Sequence, residues 1–156
     1  MAQDRRTFAL SLVTPEGPAF EGEVEMLIVP GAAGEIGILA RHAPLVATLQ
    51  AGGMRVHIRR DEEIREFATG AGFFKVEQDR ALALVDDAVD AHEIDPERAR
   101  EQLEEAQAEL ERLDGGEETD ADRWQLEQRI RHAQNQLDVY AGGGSLRIRP
   151  IAPPGG

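Results

Sequence analysis

The sequence predicts an α+β protein in which a small antiparallel β-sandwich or barrel is followed by an antiparallel hairpin of two helices. Short alternating apolar segments with frequent turn residues fill residues 1–89, as is typical of antiparallel β domains. Over residues 90–141 the apolar spacing changes to three and four residues, which indicates helices. Residues 142–156 hold five glycines and three prolines with little apolar content, so we expect a disordered tail there.

Composition excludes several classes of function. The formal net charge is −13 and residues 90–140 alone carry −10, which argues against a nucleic-acid partner and indicates a solvated helical surface. The chain has no cysteine, so neither a disulfide nor a thiolate metal site can form. No apolar run reaches the roughly 20 residues of a membrane span, and the N-terminus lacks the apolar core of a signal peptide. We therefore expect no direct membrane insertion.

The β domain is predicted from alternation. Segments expected as strands are residues 7–13, 24–28, 54–59, 64–69, 71–76 and 81–85, with turn chemistry at residues 15–18, 60–63 and 77–80. The side chains expected to share an inward face are Phe8, Leu10 and Leu12; Val24, Met26 and Ile28; and Met54, Val56 and Ile58.

A glycine-rich segment interrupts this pattern. Gly31, Gly34 and Gly37 lie within seven residues, a spacing that indicates backbone at positive φ or in close contact with a neighbour. Pro44 favours an extended conformation at the residue before it, so the segment should end in a turn or a strand. No Lys-Ser/Thr pair and no helical pattern follows the glycines, which excludes a phosphate loop and a dinucleotide fingerprint.

The segment GAAGEIGILARHAPL, residues 31–45, resembles the signature G-x-x-G-E-[LI]-G-I-L-x-x-H-A-P-L of the epsilon subunit of rotary ATP synthase at eleven positions. The resemblance implies a flattened β-sandwich of about ten strands, in which residues 69–76 (TGAGFFKV) match the family's S-G-G-[FI]-x-x-V. It also implies a C-terminal helical hairpin.

The helical part has its own start and stop signals. Asp95 can cap a helix that opens with Pro96 and Glu97, and residues 114–116 should end it. Thr119 or Asp120 can cap a second helix. The expected seam residues are Ala99, Leu103, Ala106, Leu110 and Leu113 on the first helix, and Leu126, Ile130, Ala133, Leu137 and Tyr140 on the second. This seam is narrow and buries little apolar surface, so we expect the hairpin to rest on another surface from which it can detach. The alternative is a fixed structural hairpin.

No catalytic or metal site is predicted. The four histidines have no ligand spacing, and Ser11 and Ser145 lack the context of a nucleophile. Glu35 and His42 share the glycine-rich segment and could form an acid–base or metal pair, but a histidine beside a proline is more often a structural hydrogen-bonding residue.

A second motif is relevant to cofactors. Ile94, Asp95, Arg98 and Ala99 match the [IL]-D-x-x-R-A motif that binds ATP in some epsilon subunits, whereas an ordinary helix cap would look the same. Val89 stands where those subunits have an acid. Gln125, His132 and Gln136 stand where they carry basic residues. We therefore expect no cofactor, and weak ATP binding is the alternative.

The resemblance implies a non-catalytic rotor-stalk subunit of a proton-translocating ATP synthase, which joins the gamma subunit to the c-ring. It would lie peripherally at the cytoplasmic face of the bacterial plasma membrane. Glu35 and His42, with Gly31, Gly34 and Gly37, would contact the rotor. The hairpin could extend to the catalytic alpha and beta subunits and inhibit ATP hydrolysis.

The acidic hairpin departs from the family, whose hairpins meet an acidic segment of the beta subunit with basic residues. Only Arg123, Arg129 and Arg131 form a concentration of positive charge on the second helix. The alternative functions are a free-standing adaptor, which would use the same surfaces without a rotary motor, and an ATP-sensing binding module.

Overall fold

The computed structural model describes residues 6–60, 62–113 and 120–142. Its strands are β1 (Phe8–Thr14), β2 (Gly17–Val24), β3 (Met26–Gly31), β4 (Gly34–Leu39), β5 (Leu45–Leu49), β6 (Gly52–Arg59), β7 (Glu63–Thr69), β8 (Gly72–Glu77), β9 (Arg80–Val85) and β10 (Ala88–Asp90). A 3-10 turn (Ala91–Glu93) leads to helices α1 (Pro96–Leu113) and α2 (Asp120–Tyr140). The expected helix stop at residues 114–116, the Thr119 cap and the expected disorder of residues 143–156 lie outside the described residues.

The strands form a β-sandwich, which confirms the predicted fold class. Hydrogen bonding follows the order β10-β7-β6-β3-β5-β8-β9-β1-β2, and β4 pairs with β3. The contact between β3 and β5 is a single pair, Gly31 with Leu49, so the sheet turns a corner there and closes into two layers. Among the described strands one pair, β1 with β9, is parallel. The sandwich continues to Asp90, one residue beyond the predicted boundary.

The core follows the predicted alternation in β1 but not at the start of β3. Phe8, Leu10 and Leu12 are buried between the layers, as expected. The prediction that Met26 and Ile28 share the inward face of Val24 is wrong, because Leu27 and Val29 are buried instead. Glu25 separates β2 from β3, and a one-residue break in a period-two pattern exchanges the two faces of the strand.

The helices pair through small side chains. Ala99 and Ala106 of α1 and Leu126 and Ala133 of α2 are buried, in agreement with the predicted seam. Tyr140 is exposed, so its predicted place in the seam is wrong. Val139 is buried in its place, in a cluster with Ala68 of the sandwich and Ile94 of the linker. The last turn of α2 therefore packs on the β domain. Among the described residues no helix is long and apolar enough to cross a membrane.

Candidate functional site

The glycine-rich segment forms the β3–β4 hairpin. A Cβ atom on Gly31 would lie 2.6 Å from the carbonyl oxygen of Gly34, so this position requires close backbone approach. Gly34 has a φ of 135°, a backbone conformation that residues with a side chain rarely adopt. These two glycines confirm the interpretation of the spacing, but Gly37 does not. A side chain there would meet nothing within 4 Å, because the position faces open space.

Glu35 is a strand residue, so the expectation that the glycine-rich segment interrupts the strand pattern is wrong at this position. It lies in β4 opposite Pro30, and its carboxylate pairs with the Arg55 guanidinium of β6 at 3.3 Å. Both side chains are about four-fifths covered, at 20% and 19% exposure. The six-residue strand β4 also separates Glu35 from His42, since Leu39 lies about 13 Å further along the strand. The two residues therefore do not form an acid–base or metal pair.

His42 has local hydrogen-bond partners, as the structural interpretation predicted. Its Nδ1 donates to the carbonyl oxygen of Ala43 at 2.7 Å, and its backbone N–H donates to Leu39 O at 3.2 Å. The preceding residue, Arg41, has a φ of 64° and donates its backbone N–H to the Asp79 carboxylate in the β8–β9 turn. The segment after β4 is thus attached to the neighbouring layer.

An exposed apolar surface covers the outer side of β5, β8 and β9, and none of its residues belongs to the sites predicted from the sequence. Its members, here called the apolar face, are Val46, Phe73, Leu82 and Leu84. Phe73 is paired with Leu84 across β8 and β9, and Leu82 lies one row away opposite Lys75. Val46 is 60% exposed and flanks Lys75 on the other side. Phe73, Leu82 and Leu84 are adjacent, and the exposed Lys75 lies between them and Val46. Apolar side chains grouped on adjacent strands are suited to a protein partner.

The sequence does contain a signal for this surface. The segment Ala81-Leu82-Ala83-Leu84-Val85 is apolar at every position, whereas a strand with one wet face should alternate with polar residues. Ala81, Ala83 and Val85 point into the core, so Leu82 and Leu84 must lie on the opposite side. A strand that is apolar on both sides indicates that both sides are covered in the functional state.

The [IL]-D-x-x-R-A motif has a structural role at three of its four residues. Ile94 is buried against Ala68 and Val139, and Ala99 is buried in the helix seam. Asp95 caps α1, because its Oδ1 accepts hydrogen bonds from the backbone N–H groups of Glu97 (3.1 Å) and Arg98 (3.2 Å). The Arg98 side chain is exposed. The residues therefore form the expected helix cap in this structure.

An ion pair between Arg65 and Asp90 holds the last strand where the sandwich ends. Asp90 Oδ2 accepts hydrogen bonds from Arg65 Nη2 (2.9 Å) and Nε (3.3 Å), and its Oδ1 accepts from the His92 amide (2.9 Å). Burial acts to raise the pKa of Asp90, but the hydrogen bonds from His92 and Arg65 and the positive charge of Arg65 outweigh it and lower the pKa. Arg65 also stacks over the rings of Phe20 and Phe67.

The three arginines of α2 do not share one helix face. Arg129 Nη1 pairs with Glu109 Oε2 of α1 at 3.3 Å, so it joins the two helices. Arg123 and Arg131 are eight residues apart and lie within about 80° of each other around the helix, away from Arg129. Within the described ranges no group of three or more His, Asp or Glu side chains could hold a metal ion.

Comparison with known proteins assigns the family. Residues 7–91 match the model of the ATP synthase delta/epsilon chain beta-sandwich domain. The ATP synthase epsilon chain of Rubrobacter xylanophilus is 36% identical over 148 residues, which cover 92% of this chain and 100% of that protein. The chain belongs to the ATP synthase epsilon chain family. The epsilon chain of Persephonella marina is 43% identical over 104 residues, covering 67% of this chain and 76% of its own.

Two solved structures share the fold. A chain in the Euglena gracilis mitochondrial ATP synthase has a TM-score of 0.68 and 23% identity, covering 90% of this chain and 87% of its own. A chain in the central stalk and c-ring of the Tetrahymena thermophila mitochondrial ATP synthase has a TM-score of 0.53 and 13% identity, covering 86% of this chain and 99% of its own. The part of this chain that matches the beta-sandwich family model ends at Ala91, directly after the ion pair between Arg65 and Asp90.

Proposed function

We propose that this epsilon chain is a non-catalytic rotor-stalk subunit that joins the gamma subunit to the c-ring of a proton-translocating ATP synthase. The observation that carries the proposal is the apolar face, because four of the six large apolar side chains that are exposed on the described strands lie together on it. The similar solved chains come from the OSCP/F1/c-ring assembly of the Euglena gracilis enzyme and from the central stalk and c-ring of the Tetrahymena thermophila enzyme. The subunit would sit at the cytoplasmic face of the bacterial plasma membrane.

We assign the two sandwich surfaces to different partners. The apolar face would pack on gamma, because a rotor joint must persist under torque and apolar burial supplies such stability. The β3–β4 hairpin, with Glu35, the open position at Gly37 and the turn at His42, would meet the polar loops of the c-ring. Glu35 would exchange part of its pairing with Arg55 for that contact.

The helical hairpin of α1 and α2 would regulate ATP hydrolysis. Its attachment to the sandwich rests on a small apolar cluster and a few polar contacts, so detachment exposes little apolar surface. When extended, it would reach the alpha and beta subunits and obstruct rotation in the hydrolysis direction. Arg123 and Arg131 would then provide its positive contacts, whereas Arg129 holds α1 and α2 together.

Binding of purified gamma tests the rotor proposal. Phe73→Asp should weaken gamma binding at least about tenfold, because a carboxylate would be buried in an apolar joint. Ile64→Asp is a matched control, since Ile64 is exposed to 46% and Phe73 to 44% but Ile64 lies on β7 of the other layer. Equal gamma binding by Phe73→Asp and the unaltered chain would overturn the assignment of the apolar face to gamma. Failure of the unaltered chain to bind gamma would favour a free-standing adaptor.

Hydrolysis by the reconstituted synthase tests the regulatory role. Removal of the hairpin after Ile94 should raise ATP hydrolysis, and the inhibition by the full chain should depend on salt because its contacts are charged. If removal of the helical hairpin left ATP hydrolysis unchanged at every salt concentration, the inhibitory role would be contradicted, whereas the assignment of gamma binding would be unaffected.

A further inference from the structure

Strand β4 is paired along one side only. It pairs with β3, and within the part of the chain that the structure describes no strand and no other backbone group pairs with its opposite side at Glu35 or Gly37. This unpaired side of residues 35–39 is here called the β4 edge. It ends at Leu39, whose carbonyl oxygen accepts a hydrogen bond from the His42 N–H at 3.2 Å. An unpaired edge presents main-chain donors and acceptors with which another strand can pair.

The hydrogen bonds of β3 show which backbone groups point to the β4 edge. The carbonyl oxygen of Pro30 accepts a hydrogen bond at 2.9 Å from the residue that follows β5, on the side of β3 away from β4. Successive residues of an antiparallel strand point to opposite sides, so the neighbouring Val29 faces β4, where it pairs with Ile36. By the same alternation the N–H and C=O groups of Glu35 and Gly37 point outward, to the β4 edge.

The β4 edge lacks the protection that the other ends of the sheet have. The order of strands ends in β10, which has three residues, and in β2, which carries Pro18, Glu21 and Glu23. Short strands, prolines and charged side chains are the usual protection against pairing with another chain. Strand β4 has six residues and no proline, and its one charged residue, Glu35, is already paired with Arg55. A strand with such an edge is suited to a partner that covers it.

Gly37 leaves an open position beside this edge. It lies opposite Ile28 of β3, which is partly exposed, and a side chain on Gly37 would meet nothing within 4 Å. Leu39, two residues further on, is 44% exposed. In a strand added to β4, a large side chain next to Gly37 can therefore lie over the glycine and contact Ile28 and Leu39.

We propose that the β4 edge is a strand-pairing site, where an extended segment of a c-ring polar loop forms main-chain hydrogen bonds with Glu35 and Gly37. This inference rests on the c-ring contact proposed above and specifies how that contact is made. Main-chain pairing provides the affinity, and the open position at Gly37 selects a large side chain in the partner.

The chemistry of the β4 edge favours the c-ring loop over gamma as the occupant. The edge offers backbone groups, one ion pair and a single large exposed apolar side chain, Leu39, which suits a polar segment. The apolar face, which we assign to gamma, lies on β5, β8 and β9 of the other layer.

Residue-resolved amide hydrogen exchange tests the pairing. In the isolated chain the amides of Ile36 and Ile38, which face β3, should exchange at least about tenfold more slowly than those of Glu35 and Gly37. In a complex of this chain with gamma and purified c-ring, exchange at Glu35 and Gly37 should slow at least about tenfold, because both amides would then donate hydrogen bonds. In the complex with gamma alone, these two amides should exchange as in the isolated chain.

Gly37→Pro and Gly37→Ala form a matched pair for binding to the c-ring. Proline removes the outward N–H and places its ring on the edge, whereas alanine keeps the N–H. Neither variant removes a hydrogen bond to β3, and edge strands tolerate proline, so both should keep the fold, which urea unfolding verifies. Gly37→Pro should weaken binding of the gamma-bound chain to the c-ring at least about tenfold, and Gly37→Ala should change it less than about threefold.

The outcomes separate this inference from the c-ring contact on which it rests. Unchanged exchange at Glu35 and Gly37 in a c-ring complex that does form, or equal c-ring binding by Gly37→Pro and the unaltered chain, would overturn main-chain pairing and leave the contact intact. Slower exchange with gamma alone, or slowing that increases with the concentration of the isolated chain, would assign the β4 edge to gamma or to a second copy and overturn the proposal. If the unaltered chain with gamma did not bind the c-ring at all, the c-ring contact itself would be overturned.

Discussion

The Arg65 guanidinium of β7 and the Asp90 carboxylate at the end of β10 are joined at 2.9 Å, directly before the linker to the hairpin. The same carboxylate begins the 3-10 turn by accepting the His92 amide. The last strand is thus attached to the sandwich up to Asp90, and any movement of the hairpin must pivot in the following residues. This ion pair separates the β-sandwich from a helical hairpin that has few attachments to it.

Asp90→Asn should lower the stability of the sandwich at neutral pH by about 0.5–1 kcal/mol, a modest value because Arg65 is partly exposed. The pKa of Asp90 is lowered in the folded state, so its contribution is present above the ordinary carboxyl pKa and is lost as the pH falls through the folded value. Urea unfolding at neutral and acidic pH measures this difference. Asp90→Asn should reduce it, and an equal acid sensitivity of the variant would contradict the expectation.

Gly31→Ala and Gly37→Ala form a matched pair in one hairpin. Gly31→Ala should destabilise the chain by about 1–3 kcal/mol, because the new methyl group meets the backbone of Gly34. Gly37→Ala should change the stability by less than about 0.5 kcal/mol, because the position is open. Denaturant titration compares the two. Equal effects of the two substitutions on the free energy of unfolding would contradict the prediction, because the β3–β4 hairpin would then not distinguish the crowded position from the open one.

Asn135→Ala should loosen the hairpin without unfolding the sandwich, because it removes the donor to two backbone carbonyls at their junction. The expected loss is about 1–2 kcal/mol of docking free energy. Hydrogen exchange should accelerate in α1 and α2 while β1 and β6 remain protected. Gln134→Ala, at the exposed neighbouring position, is the control and should leave exchange unchanged.

Asp95→Ala should destabilise α1 by about 1 kcal/mol, since two backbone amides lose their acceptor. Arg98→Gln should leave the stability unchanged, because this side chain is exposed. We expect calorimetric titration of the unaltered chain with MgATP to give no saturable heat, because the Asp95 carboxylate already serves the helix. Saturable heat that disappears in Arg98→Gln would instead establish the ATP-sensing module.

Several features were predictable because they depend on neighbouring residues. The alternation of Phe8, Leu10 and Leu12 requires only the period of a strand, and the Asp95 cap requires only the first turn of a helix. The β3–β4 glycines were predictable for the same reason at Gly31 and Gly34. The family followed from eleven signature positions in one continuous segment.

By itself the sequence determined the fold class, the change from strands to helices after residue 90 and the epsilon-chain signature, since each is a local pattern. The tertiary structure alone decided which face of β3 is buried, that Glu35 pairs with Arg55, and that Val139 rather than Tyr140 packs on the sandwich. These outcomes depend on segments that are far apart in the chain, and the packing of the two layers and α2 selects among faces that local periodicity leaves equivalent.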